Sequence, residues 1–97
     1  MVVIMLYNSC DNKKIKEIKK LNLKKYRDLE NKYLVEGEHL VSEAYKRGVL
    51  ETLIIEDGCD FRLNIDTMVV NHDVLKYIYI VKWHSRAHSY MYYFIYF

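Results

Sequence analysis

The chain contains no proline and only three glycines among its 97 residues, so no proline- or glycine-rich linker divides it. A chain of this length buries about 60–65% of the surface that it exposes when unfolded. That amount supports one modest core and one binding face. We therefore expect a single small domain with little room for a cofactor cavity.

The chain also lacks a cysteine framework and a long apolar segment. Cys10 and Cys59 show no CxxC spacing, which argues against a disulfide scaffold and a zinc site and favours a reducing environment. The apolar start, Met1–Leu6, has no basic n-region and is shorter than a signal h-region. The aromatic end, Tyr90–Phe97, is far below the roughly 20 residues that span a bilayer. We predict a cytoplasmic protein with no membrane partner.

Charge is distributed unevenly along the chain. Residues 11–35 carry nine Lys/Arg and four Asp/Glu, a balance of +5, whereas residues 36–76 carry four and nine, a balance of −5. A small domain with one basic end suggests a polyanionic partner, most commonly a nucleic acid.

Local patterns predict an α/β fold. Apolar residues recur at helical spacing in some segments and form short uninterrupted runs in others. The predicted strands are 33–35, 52–55 and 68–70, and 1–7 is either a short strand or an irregular start. The predicted helices are 13–21, 38–46 and 72–78, and 23–32 is a short helical turn or a loop. Because strand, helix and strand follow each other over 33–55, we expect these two strands to run parallel. The whole forms a small αβα sandwich with a mainly parallel sheet.

Side-chain chemistry refines the helix predictions. Asparagines favour helix ends, so Asn71 is expected to cap the last helix and Asn22 to lie at the end of the first. Gly48 suits the position after the middle helix. The predicted core-facing residues are Ile15, Ile18 and Leu21 on the first helix, Leu40, Val41, Ala44 and Tyr45 on the second, and Val74, Leu75 and Ile78 on the third.

Four sequence segments form a recognisable combination: N-S-x-x-N-x-x-I-K-x-I-K-K-L at 8–21, L-K-K-Y-R at 23–27, Y-L-V-E-G-E-H-L-V-x-E-A at 33–44 and D-x-L-K-Y-I at 73–78. Together they resemble the N-terminal substrate-binding domain of SpoU-type (TrmH-like) RNA methyltransferases. The resemblance covers about three quarters of the chain. It implies a fold similar to kink-turn-binding ribosomal proteins and a role in binding structured RNA, either ribosomal or transfer RNA.

The family resemblance also implies a second, knotted domain that transfers a methyl group from S-adenosylmethionine to a ribose 2′-hydroxyl. Such a domain would follow residue 78 and need on the order of 150 residues. We expect 1–78 to be the RNA-binding domain and 79–97 to be a divergent aromatic tail, with out-of-frame translation as one explanation. This chain alone would then hold no cofactor and transfer no methyl group. The homodimer usual in the family, formed mainly through the knotted domain, would not be retained.

A basic cluster around an aromatic residue is the main candidate site. Lys24, Lys25 and Arg27 can neutralise phosphates, and Tyr26 can stack on an exposed base. The alternative is a solvated helix face with Tyr26 packed in the core. On the preceding helix Lys13, Lys16, Lys19 and Lys20 extend the basic patch. DNA is not expected as a partner.

Other chemistry-bearing residues have structural explanations. Glu36-Gly37-Glu38-His39 could suggest acid–base chemistry or a metal site, but a tight strand-to-helix turn explains it better. His84 and His88 have helical i, i+4 spacing but no third metal ligand. The cysteines lack a catalytic partner.

Two alternatives to a functional RNA-binding domain stay open. One is a gene fragment without function. The other is a protein–protein docking module that uses the aromatic tail. That tail is aggregation-prone in composition, and it could instead add a strand to the edge of the sheet.

Overall fold

A computed structural model describes residues 2–78 and 92–96, the latter as backbone. These residues form five strands and four helices. In chain order they are β1 (Ile4–Tyr7), α1 (Lys13–Lys20), α2 (Lys24–Glu30), β2 (Lys32–Glu36), α3 (Glu38–Lys46), β3 (Leu50–Glu56), β4 (Thr67–Val70), α4 (His72–Ile78) and β5 (Tyr92–Tyr96).

The strands form one sheet in the order β1-β4-β3-β5-β2. β1 pairs with β4 and β4 with β3 in parallel, whereas β5 pairs antiparallel with both β3 and β2. The predicted α/β class is confirmed, and β2 and β3 run in the same direction as expected. They are not direct neighbours, because β5 lies between them.

The position of β5 differs from the alternative in which the tail adds a strand at the edge of the sheet. Residues 92–96 pair with β2 on one side and β3 on the other, so they occupy the interior of the sheet. β1 and β2 form the edges instead. The expected domain boundary at residue 78 stays a prediction, since β5 lies beyond it in sequence.

Alternate residues of the strands point to opposite faces of the sheet, as a pleated strand requires. Ile54, Met68 and Val70 pack with helices α1 and α4 on one face. Leu53 and Ile55 pack with α3 on the other. The two apolar clusters therefore enclose the sheet between helical layers, which is the predicted sandwich.

Most of the predicted core-facing residues are confirmed, but Leu40 is not. Ile15, Ile18, Leu21, Val41 and Ala44 are buried, as are the three predicted residues of α4. Tyr45 is partly buried against the second cluster. Leu40 is 52% exposed, because it lies in the first turn of α3, at the margin of the buried stripe.

Helix ends follow the predicted chemistry. The Asn71 side chain accepts a hydrogen bond from the Val74 backbone N–H at 2.8 Å, and Asn12 caps α1 in the same way. At the end of α3, Gly48 takes φ +76° while the Val49 N–H donates to the Ala44 carbonyl. Such a left-handed C′ residue favours glycine.

Asn22 joins two helices after α1 ends. Its side-chain amide donates to the carbonyls of Lys19, at 2.9 Å, and Ile78, at 2.7 Å. This contact ties the end of α1 to the end of α4. It also fixes the point from which the chain turns into α2.

Candidate nucleic-acid interface

The sharp turn between α1 and α2 brings the two basic segments together. The N–H groups of residues 21–23 donate to carbonyls in the last turn of α1, and the Tyr26 N–H donates to the Leu23 carbonyl at 3.0 Å. The turn therefore places the end of α1 beside the start of α2. Sequence patterns left 23–32 open as a short helical turn or a loop, and the structure shows the seven-residue helix α2.

Tyr26 is the meeting point of the two helices. The Nζ of Lys20, on α1, lies 5.3 Å from the Tyr26 ring centroid, and the Nζ of Lys25, on α2, lies 5.2 Å from it. Both distances are within the range of cation–π attraction. The ring is half-buried, so it is neither fully solvated nor fully enclosed in the core.

Lys13 and Lys16 lie on the same side of α1 as Lys20. Positions three and four apart in a helix are neighbours on its surface, and all three side chains are exposed. Lys16 lies 3.9 Å from Asp11, and both side chains are more than half exposed. Such a surface ion pair contributes about 0–1 kcal/mol, so a phosphate can replace the carboxylate.

Lys24 adds another exposed cation at the start of α2. Its Nζ donates to Asp28 Oδ2 at 2.7 Å across one helical turn, with the Lys24 side chain 78% exposed. Because this ion pair is also exposed to solvent, a phosphate can replace the Asp28 carboxylate. We call Lys13, Lys16, Lys20, Lys24 and Lys25 the α1–α2 lysine patch.

Two of the predicted basic contacts lie elsewhere. Arg27 is half-buried, and its Nη1 donates to the Leu21 backbone carbonyl at 3.0 Å, so it links α2 to the end of α1. Lys19 lies on the other side of α1, with its Nζ 4.0 Å from the Tyr77 ring centroid. Both cations are therefore engaged in contacts within the fold.

The remaining candidates from the sequence are the turn at 36–39, the two cysteines and the two histidines of the tail. Gly37 takes φ +101° between β2 and α3, as the tight turn requires. Within residues 2–78 and 92–96, no three His, Cys, Asp or Glu residues cluster to hold a metal ion. Cys10 and Cys59 are both half-buried. The histidines at 84 and 88 lie outside the described residues.

The part of the chain that the structure describes has no helix long and apolar enough to cross a membrane.

Residues 12–80 match the family of MRM3-like substrate binding domains. The chain belongs to this family. The match begins at the cap of α1 and includes both helices of the lysine patch. This match confirms the resemblance to RNA methyltransferases that the four sequence segments indicated.

A curated relative is consistent with this assignment, and two solved structures share the fold. The 23S rRNA (guanosine(2553)-2′-O)-methyltransferase RlmP of Bacillus subtilis is 40% identical over 60 residues, which are 61% of this chain and 24% of that protein. The fold is similar to that of an rRNA methyltransferase from Sinorhizobium meliloti, with TM-score 0.72, 21% identity and coverage of 96% of this chain and 37% of that one. An RNA 2′-O ribose methyltransferase gives TM-score 0.71 at 23% identity, covering 93% and 36%.

This MRM3-like chain spans about a quarter of the RlmP length and just over a third of the two solved chains. It therefore corresponds to the substrate-binding part of such enzymes.

Proposed function

We propose that this chain binds structured RNA as the substrate-recognition domain of an rRNA 2′-O-ribose methyltransferase. The observation that carries the proposal is the convergence of Lys20 and Lys25 on the Tyr26 ring from two different helices. Cations capture the phosphate backbone, and an accessible aromatic face can stack on an unpaired base. Ribosomal RNA is the substrate class because RlmP, to which the chain is similar, is named for 23S rRNA.

The lysine patch acts as an electrostatic binding surface held by a rigid scaffold. Its five lysines are exposed, and α1 is fixed to the core by Ile15 and Ile18, both almost fully buried. Arg27 keeps α2 in place by its bond to the Leu21 carbonyl. Recognition therefore needs no chemistry by the chain itself. The methyl donor S-adenosylmethionine and the residues that use it belong, in this proposal, to a catalytic domain outside these 97 residues.

Salt-dependent binding tests this proposal. Fluorescence anisotropy would follow the chain binding to a labelled RNA hairpin from about 50 mM to about 200 mM salt. If five lysines each neutralise one phosphate, the slope of log K against log salt is about −3.5 to −4.5, so the affinity falls roughly 100- to 500-fold. Absence of binding, or binding insensitive to salt, would contradict an electrostatic RNA interface.

A second assay tests whether the chain alone transfers a methyl group to RNA. The purified chain is incubated with RNA and S-adenosylmethionine that carries a labelled methyl group. We expect no label in the RNA, and labelled 2′-O-methyl ribose would show that the chain itself is an enzyme.

A further inference from the structure

A groove of about 450 Å³ opens between α1 and α2 beside the lysine patch. Its apolar lining includes Ile18 and Leu21, which are buried, and Tyr26 and Leu29, which are not. Leu29 is 71% exposed, although it stands next to an aromatic ring and a cavity of ligand size.

The charged residues around the groove are of both signs. Lys14 and Lys20 line it together with Glu17 and Glu30. In the part of the chain that the structure describes, these four groups take part in none of the ion pairs. The far end is closed by Lys32 and Glu51, which are paired at 3.1 Å. The groove lining thus has three lysines and three glutamates, and no net charge.

This combination does not suit a phosphate inside the groove, because the carboxylates would repel it. It suits a flat heteroaromatic ring whose edge carries hydrogen-bond donors. The face of a nucleobase can stack on Tyr26 and contact the leucines. Its exocyclic amino group can donate to a carboxylate, as cytosine N4 does to Glu or Asp. The phosphates on either side then stay outside, within reach of Lys20 and Lys25.

We propose that the α1–α2 groove holds one unpaired nucleobase bearing an exocyclic amino group. This inference rests on the proposed RNA-binding function and adds a recognised chemical group to it. The lysine patch supplies affinity without regard to sequence, whereas Glu17 and Glu30 select amino-bearing bases over uracil. Uracil offers carbonyl oxygens where cytosine has an amino group, so a carboxylate opposite that position repels it.

The experiment compares RNA hairpins that share a stem and carry one bulged nucleotide, either cytosine, uracil or an abasic site. The readout is the ratio of affinities for the cytosine and uracil hairpins at fixed salt. We expect the full chain to prefer cytosine by about tenfold, the effect of one good base-edge contact. The abasic hairpin should also bind about tenfold more weakly than the cytosine hairpin, because it offers no ring to stack on Tyr26.

Variants connect the preference to the groove. Glu17→Gln combined with Glu30→Gln should bring the cytosine-to-uracil ratio close to one, since an amide can accept from one base and donate to the other. Glu38→Gln combined with Glu43→Gln, on α3, removes the same two charges from exposed sites and should leave the ratio unchanged. Tyr26→Ala should weaken binding of the bulged hairpins, and Tyr26→Phe should retain it.

The outcomes separate the two proposals. If the native chain shows salt-dependent binding but binds the cytosine and uracil hairpins equally, the groove site is wrong and the lysine patch is supported. A ratio that persists in the double glutamine variant also overturns the assignment to the groove. Absence of salt-dependent binding to all three hairpins overturns both proposals.

Discussion

Replacing Lys20 and Lys25 together by alanine tests the lysine patch at its centre. The two ammonium groups lie 5.3 and 5.2 Å from the Tyr26 ring centroid, and no carboxylate in the described chain pairs with them. Removing two of five cations should reduce the slope of log K against log salt by about 1.4 to 1.8. Between about 50 mM and about 200 mM salt, the affinity of the double variant then falls roughly 20- to 40-fold, compared with 100- to 500-fold for the native chain.

The assay is fluorescence anisotropy with one labelled hairpin over the same salt series. The matched control is Lys46→Ala combined with Arg47→Ala, which removes two exposed cations at the end of α3, the helix on the opposite face of the sheet. Far-ultraviolet circular dichroism and urea unfolding check the fold, because each exposed cation–π contact contributes only about 0.5–1 kcal/mol. An unchanged slope in the Lys20/Lys25 variant, or an equal reduction in the control, would refute the assignment of this surface.

Three further predictions concern the scaffold. Arg27→Ala should lower the free energy of unfolding by about 1 kcal/mol because the Leu21 carbonyl loses its donor; unchanged stability in urea unfolding would contradict a structural role. Ile54→Ala should lower the free energy of unfolding by about 2–5 kcal/mol, since Ile54 is fully buried. Leu40→Ala should change the free energy of unfolding by no more than about 0.5 kcal/mol. Equal destabilisation by the two substitutions in urea unfolding would contradict the observed packing. Phe94→Pro removes a hydrogen bond of the sheet, so it should lower the free energy of unfolding by about 1–3 kcal/mol and increase hydrogen exchange in β2 and β3, both of which pair with β5; unchanged exchange would argue against the interior position of β5.

Local chemistry was sufficient to predict α1, α3, α4 and most of the strands, but it left α2 open as a short helical turn or a loop. The i, i+3 spacing of Ile15, Ile18 and Leu21 defines one buried stripe, and asparagine or glycine stands at the helix ends where the backbone requires it. Leu40 was misassigned because a stripe on one helix shows which face is apolar. It does not show how far around the helix the neighbouring layer reaches: Leu40 is 52% exposed, whereas Val41, the next residue, is fully buried.

The position of β5 depends on contacts distant in sequence. An uncharged aromatic run at 92–96 is equally typical of an aggregating segment, an edge strand and an interior strand. Its place between β2 and β3 follows from pairing with residues about 40 to 60 positions earlier in the chain, which no local window contains. At the β3–β5 pairing the register shifts between Leu50 and Thr52, and the residue between them, Glu51, pairs with Lys32 at the end of the groove.

The candidate site was predicted in composition but not in arrangement. Residue types alone placed Lys24, Lys25 and Arg27 in one group. The turn after α1 decides their different roles, because it directs Arg27 to the Leu21 carbonyl and leaves Lys25 beside Tyr26. The groove was missed because its lining comes from α1, α2, β2 and β3 together. The one local signal that could have indicated it was the apolar Leu29 between the charged residues Asp28 and Glu30.

The most direct measurement is an amide chemical-shift titration of the isotope-labelled chain with a structured RNA hairpin. RNA binding at the lysine patch should perturb the amides of α1 and α2 around Lys20, Lys25 and Tyr26, and leave those of α3, on the opposite face, unaffected. Perturbations centred on α3 or on the β1 edge, with α1 and α2 unchanged, would contradict the account.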